Sequence, residues 1–440
     1  MVQKHRVLIL GGGFGGLYAA QALKHAPVDV TLVDRRNFHL FQPLLYQVAT
    51  GSLSPGEIAA PLRGILSRQK NTRVLLGEAV DIDPDAKEVM LQDGAVIPYD
   101  SLIVSTGSQS AYFGHDEWRE WAPSLKSVEE ATMIRHRILM AFEAAERVSD
   151  PEERRAWLTF VIVGAGATGV ELAGALGEIA RHTLKNDFRS IHPADARILV
   201  VDSGKRVLTS YPEDLSAKAE RSLVKLGARV RTGAMVTSLD SNGVVIQTSS
   251  GSERIESHTV IWAAGVTVSG FGRQLGQRTG AETDKSGRIK VRPDLTISNY
   301  ADIFVVGDLA FATKQDGTPL PGVAQVAMQG GAYAAKTIVK RIESRRNTED
   351  FHYFDKGNLA VIGRAAAVAD VFGLHLSGFL AWLVWLFIHL LYIVEFQSRL
   401  LVLVQWGFLY LTFNRGARLI TGSAAEASLV TPRPLHKTAN

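Results

Sequence analysis

A chain of 440 residues exceeds a single hydrophobic core and points to two or three domains, and 46% apolar with 21% charged residues describes an ordinary folded protein. The formal net charge of +4 comes without a basic run dense enough for nucleic acid, which leaves only weak attraction to an anionic membrane surface. The absence of cysteine excludes disulfides, thiolate metal sites and cysteine redox relays.

The N-terminus enters a strand directly, so no signal or transit peptide is expected and the catalytic part is expected in the cytoplasm. An apolar run at 7–10 leads into a glycine cluster, a small-residue helical pattern at 17–23, and a second apolar run at 30–33 that ends in Asp34. Gly11, Gly13 and Gly16 have G-x-G-x-x-G spacing with an acid about 20 residues on, the pattern of a dinucleotide-binding unit. Gly11 makes the turn, Gly13 lets backbone N–H groups approach a diphosphate at the helix N-terminus, and Gly16 lets helix pack on strand. Asp34 is expected to accept hydrogen bonds from ribose hydroxyls. Residues 37–55, NFHLFQPLLYQVATGSLSP, read as a loop returning over the strand ends. Short strands are expected at 74–80, 88–91 and 96–99 with a turn at Asp93-Gly94, then a buried strand at 102–104 ending in Ser105-Thr106-Gly107.

A helix is expected over 129–147 and a charged linker over 150–155. The opening pattern then repeats: strand 160–163, Gly164-Ala165-Gly166-Ala167-Thr168-Gly169, helix, strand 198–201 and Asp202. A run at 260–263 entering Ala264-Gly265 mirrors the strand that ends at Gly107, so the duplication includes that element. Two such units most simply hold two different dinucleotides, a resident flavin and an exchanging nicotinamide. Asp202 favours NADH, because a 2′-phosphate about 4 Å away would be repelled by roughly 4 kcal/mol, softened by Lys205 and Arg206. The twelve histidines show no plausible metal-ligand pair, so no metal is expected.

A buried strand at 303–306 ends in Gly307-Asp308, and a helical stretch at 323–342 and a polar break at 343–350 follow. The apolar block at 374–413 differs in kind. Residues 376–394 would make a helix of about 28 Å, and 400–413 one of about 21 Å, too short to span a bilayer. A single span would place the nucleotide domains on the outer side by the positive-inside tendency. Helices lying in the membrane interface are therefore expected, with Trp382, Trp385, His389, Tyr392 and Phe396 on one face at headgroup level. The alternative is a buried dimer interface.

Several motifs extend the reading: GGGFGG at 11–16, FQPLLYQVATG at 41–51, STG at 105–107, GAGATGVE at 164–171, AAG at 263–265, VVGDLA at 305–310 and AQVAMQGG at 324–331. With these the chain resembles the two-dinucleotide-domain flavoprotein reductases, and within them the type II NADH:quinone oxidoreductases, single-subunit enzymes that do not pump protons. The resemblance implies an α/β fold of two Rossmann-like domains, for FAD (1–115 and 290–345) and NADH (155–285), plus a C-terminal helical membrane-anchoring region (350–425). It implies FAD contacts from Gly11, Gly13, Phe14, Gly15, Gly16, Asp34, Arg35, Thr50, Val80, Thr106, Gly107, Asp308 and Gln325. For NADH it implies Gly164, Gly166, Thr168, Gly169, Glu171, Asp202, Ala264 and Gly265. Ser105 stands where relatives commonly carry alanine.

The resemblance also implies a hydride passing from NADH to flavin and two electrons passing on to a membrane quinone. A helix N-terminus at 322–325 would stabilise negative charge on the flavin. Gln325 and Gln329, four apart on one helix face, would hydrogen-bond a quinone carbonyl; the alternative is that they satisfy loop backbone. Glu171 would gate NADH or relay protons, against the simpler reading of a helix-start carboxylate. Lys356 is placed at the flavin end of the quinone path, against an exposed lysine. The expected partners are NADH, a membrane quinone and the bilayer surface at the cytoplasmic face of a cell inner membrane, with a homodimer through the C-terminal region and no nucleic acid. Two competing functions are a reductase of a ferredoxin-like carrier, which needs no apolar tail, and a non-catalytic flavin redox sensor. Disulfide reductases and sulfide oxidisers of similar fold need cysteines and are excluded.

Overall fold

The computed structural model describes residues 4–343 and 349–421, so 344–348 of the polar break and 422–425 of the expected C-terminal region lie outside the described residues. The chain forms two compact units, one from residues 1–40, 59–109 and 266–356, the other from 41–58, 110–265 and 357–440.

The first unit is built on a six-stranded sheet in the order Thr296–Ile297, Tyr300–Val305, Ser101–Val104, His5–Leu10, Val28–Asp34, Thr72–Leu76. All neighbours run parallel except the Thr296–Ile297 edge. Central parallel strands are covered on both faces, which is why Val7 to Leu10 and Leu102 to Val104 are apolar runs and not alternating ones. Helix Phe14–Ala22 packs against helix Ala324–Ile342 with almost no side chain between them. A Cβ at Gly331 would lie 2.0 Å from the Gly15 carbonyl oxygen, so only glycine allows that approach.

The second unit repeats the plan on a four-stranded parallel sheet in the order Ala228–Arg231, Arg197–Val201, Thr159–Val163, Thr259–Trp262. A three-stranded antiparallel sheet, Asn358–Gly363, Ala366–Val371 and Leu374–Gly378, leads into helices Phe379–Tyr392 and Phe396–Thr412. This sheet lies directly on helix Ala167–Glu178, where a Cβ at Gly174 would come within 1.6 Å of the Ile362 carbonyl oxygen.

Several sequence expectations change. The run 74–80 is two strands, Thr72–Leu76 and Ala79–Asp83, separated at Gly77, whose N–H donates to the Asp34 carbonyl. Residues 37–55 are not a loop: they hold strand Phe38–Leu40, a 3₁₀ turn Gln42–Leu44 and helix Leu45–Ala49, whose residues are all buried. The charged stretch 150–155 opens helix Pro151–Trp157, with Asp150 accepting from the Glu152 N–H as cap and proline at the first position. The expected helix 376–394 is a strand ending at Gly378 followed by the 14-residue helix Phe379–Tyr392. No helix among the described residues is long and apolar enough to cross a membrane.

The expected aromatic stripe is split between buried, half-buried and exposed positions. Trp385 is only 2% exposed and packs between His389 (4.4 Å) and Trp406 (5.2 Å), whereas Phe396 belongs to the second helix and is 78% exposed. The outward faces of the two helices carry aliphatic and phenylalanine side chains instead, Leu383, Phe387 and Leu411 among them.

Candidate active site

The two glycine loops agree hydrogen bond for hydrogen bond. In the first, the Gly11 N–H donates to the Val33 carbonyl (2.8 Å), and the Gly12 and Arg36 N–H groups both donate to Asp34 (2.6 Å each). In the second, the Gly164 N–H donates to the Val201 carbonyl (2.8 Å), and the Ala165 and Gly204 N–H groups donate to Asp202 (2.6 Å each). Gly11 and Gly164 take φ of +98° and +108°, a left-handed backbone that disfavours side chains. A Cβ at Gly16 would sit 1.8 Å from the Gly11 carbonyl oxygen and one at Gly169 1.9 Å from that of Gly164. Gly13 and Gly166, by contrast, face open space, as a loop that receives a diphosphate requires. Burial pushes the Asp34 carboxyl above its ordinary range against the pull of its two N–H donors.

Around the first loop, the Ser105 hydroxyl donates to the carbonyls of Leu10 and Gly11, so a serine here ties the loop to the neighbouring strand. Thr106 pairs with the Ser269 hydroxyl, and Asp308 accepts from the Ser108 hydroxyl at 2.7 Å. Phe14 meets His39 edge to face. Val80 is exposed, and Arg35 lies 3.9 Å from the Glu78 carboxylate in an exposed pair that adds little stability. These residues fit a bound FAD: an open glycine loop on a helix N-terminus, an acid at the end of the second strand, and a second carboxylate at Asp308. Thr50 lies in the second unit, its hydroxyl donating to the Tyr46 carbonyl.

In the second unit, Thr168 is exposed beside the loop, and Gly265 has φ +72° where a Cβ would strike the Phe113 ring. Arg206 spends its guanidinium on the carbonyls of Leu208, Thr209 and Tyr211, leaving Lys205 as the nearby exposed cation.

Gln325 and Gln329 do share a face of helix Ala324–Ile342. Gln325 accepts from the Lys356 N–H at 3.1 Å, while Gln329 exchanges two hydrogen bonds of 2.9 Å with the backbone of Phe354. Both amides therefore fasten residues 354–356 of this chain, and Lys356 is held here through its backbone.

The second unit also contains a cavity that the sequence did not reveal, walled by Trp382, Trp385, Trp406 and Tyr410 and reached by Glu171 and Arg415. Glu171 and Glu178 lie seven apart, two turns of one helix, and so present the same face. Glu178 accepts from Arg415 at 2.9 Å and from the Arg364 N–H. Arg415 also donates to the hydroxyls of Thr50 and Ser52, so its buried charge is paired and its protons largely used. Among the described residues Glu171 has no such cation. It accepts a long 3.4 Å bond from the Val361 N–H, it lines the cavity, and burial pushes its carboxyl up to about 8. His389, donating to the Trp385 carbonyl, is pushed down to about 4 by burial and stays neutral. Among the described residues no group of three or more acidic or histidine side chains could hold a metal ion.

Residues 5–331 match the family described as pyridine nucleotide-disulphide oxidoreductase, and 356–412 match the NDH2 C-terminal domain. Type II NADH:quinone oxidoreductase Ndh of Mycobacterium tuberculosis is 46% identical over 431 residues, 97% of this chain and 92% of that protein. NdhA of the same organism is 47% identical over 435 residues, with the same shares covered. The chain belongs to the type II NADH:quinone oxidoreductases. A solved structure of NDH2 from Plasmodium falciparum, in complex with RYL-552, superposes with a TM-score of 0.86 over 96% of this chain and 100% of that one; at 19% identity this shows a shared fold. This type II NADH:quinone oxidoreductase has two glycine loops of the same build, yet without cysteine it cannot perform the disulphide chemistry in the broader family's description.

Proposed function

We propose that this FAD-dependent NADH:quinone oxidoreductase works from a membrane surface, with FAD on loop 11–16, NADH on loop 164–169 and quinone in the aromatic cavity. The observation that carries the reading is the matched pair of loops, each with an acid holding the same two N–H groups. FAD, when bound, accepts a hydride from NADH and hands two electrons to the quinone. Asp34 and Asp202 orient the two adenosine riboses, and the open faces of Gly13 and Gly166 admit the diphosphates. Asp308 and the N-terminus of helix Ala324–Ile342 complete the flavin site, with Gln325, Gln329 and Lys356 fixing the backbone beside it. Glu171, protonated at neutral pH, supplies a proton on the quinone side. In detergent, NADH should bleach the flavin spectrum and a short-chain quinone should restore it; bleaching without quinone-driven recovery would instead make the protein a redox sensor.

Asp202 and the committed Arg206 set the nucleotide preference. Asp202→Ser is expected to lower the ratio of NADH to NADPH specificity constants at least ten-fold, since the repulsion it removes is worth roughly 4 kcal/mol. An unchanged ratio would separate Asp202 from ribose recognition.

The outward hairpin faces meet the lipid headgroups of the leaflet that NADH reaches, the cytoplasmic face of an inner membrane. Replacing Leu383, Phe387 and Leu411 together by glutamate removes three apolar anchors, each worth about 2 kcal/mol when buried. Co-sedimentation with anionic vesicles is expected to fall at least a hundred-fold, with flavin reduction by NADH retained. Were vesicle binding unaffected while a wild-type dimer dissociated, the face would be a subunit interface.

A further inference from the structure

Besides the bonds to strand and acid, each glycine loop is held at a third point, and there the two differ. In the second loop the Ala165 carbonyl, between Gly164 and Gly166, accepts from the Leu208 backbone N–H at 2.8 Å. In the first loop the equivalent carbonyl, that of Gly12, pairs instead with a side chain, His39 Nδ1, at 3.0 Å. His39 lies on strand Phe38–Leu40, which pairs with Ala59–Pro61, and it is 1% exposed. A carbonyl can only accept, so Nδ1 carries the proton, and Nε2, which has no partner, is the bare nitrogen of a neutral ring. Burial pushes the imidazole below its ordinary range and so keeps it neutral. In a planar trans peptide the C=O and the following N–H point in opposite directions. Holding the Gly12 carbonyl therefore directs the Gly13 N–H away from His39. That N–H and its counterpart on Gly166 have no acceptor among the described residues. The peptide between Gly12 and Gly13 has glycine on both sides and rotates at little steric cost, whereas its counterpart in the second loop has Ala165 on one side. The side-chain clamp stands where the backbone is freest.

We propose that His39 is a positioning residue for the flavin: its Nδ1–H fixes the Gly12 carbonyl and so turns the Gly13 N–H towards the diphosphate that the loop receives. The proposal rests on the placement of FAD on loop 11–16, and separate variants test the two claims. His39→Phe keeps a flat ring and removes the donor, whereas His39→Asn puts an amide N–H where Nδ1 stood. His39→Phe is expected to release FAD from the holoenzyme about ten-fold faster, read as the rise of free-flavin fluorescence. The ³¹P resonances of its bound diphosphate should shift as well. His39→Asn should return both readings to those of the wild type, which a loss of packing alone would not allow. A phenylalanine variant that holds FAD like the wild type, or an asparagine variant no better than it, overturns the proposal. A Cβ on Gly13 meets no atom within 4 Å, so Gly13→Val should fold but fill the open face and carry no flavin. If Gly13→Val keeps its flavin, the placement of FAD on this loop falls, and the role of His39 with it. If it is colourless while His39→Phe releases FAD at the wild-type rate, the loop stands and the clamp is wrong. Should His39→Phe fail to fold, the ring ¹⁵N shifts of His39 in the wild-type holoenzyme decide. A protonated Nδ1 beside a bare Nε2 supports the clamp, and the reverse tautomer overturns it.

Discussion

Gly16→Val is expected to yield a protein without flavin colour, whereas Gly169→Val should stay yellow but no longer be bleached by NADH. The two glycines occupy the same place in the two loops, where a Cβ would press within 1.8 Å and 1.9 Å of a loop carbonyl oxygen. Neither loop can absorb that displacement, because each is pinned by one N–H bond to the neighbouring strand and one more to its acid. The damage is local to the diphosphate cradle in each case. Thermal unfolding and far-ultraviolet dichroism check that both variants fold, and chemical reduction by dithionite checks that the flavin in Gly169→Val remains reactive. A yellow Gly16→Val protein, or a colourless but folded Gly169→Val, would reverse the assignment of the two loops.

Glu171→Gln is expected to slow quinone-dependent turnover about a hundred-fold, in the range found when a positioned acid is lost. Flavin reduction by NADH should be untouched. In the wild-type protein the proton is present below a pH of about 8 and leaves above it, so turnover should fall on the alkaline side with a midpoint near 8. That limb should vanish in the glutamine variant. Stability shows the same sign. Burial lifts the carboxyl from its ordinary 4.5, so the stabilising difference is complete at low pH and is lost as pH rises through about 8. An alkaline limb that persists in Glu171→Gln would assign it to another group, and slowed flavin reduction would mean that Glu171 gates NADH.

The nucleotide loops were legible in the sequence because their chemistry is local: glycine spacing, a flanking strand and an acid one strand away. The hydrogen-bond match between Asp34 and Asp202 follows from that spacing alone. The cavity was not legible, because its parts are scattered. Glu178 had a signal, lying seven residues after Glu171, but Arg415 reads as an ordinary basic residue past an apolar helix until the fold brings it to Glu178. The hairpin misled for a related reason. The first of its helices is apolar almost all round, so periodicity could not say which face turns inward, and the tryptophans suited headgroups as well as a core. The helix at 151–157 hid behind its charges, although Asp150-Pro151 is a recognisable start.

The close seating of Ile362 on Gly174 has a pharmacological consequence. Helix Ala167–Glu178 carries the second glycine loop at its beginning and a wall of the aromatic cavity along its later turns. With no side chain between Gly174 and Ile362, helix and sheet cannot shift past one another at that point. A compound wedged among the tryptophans would therefore disturb nucleotide affinity as well, giving mixed and not purely competitive patterns against both substrates.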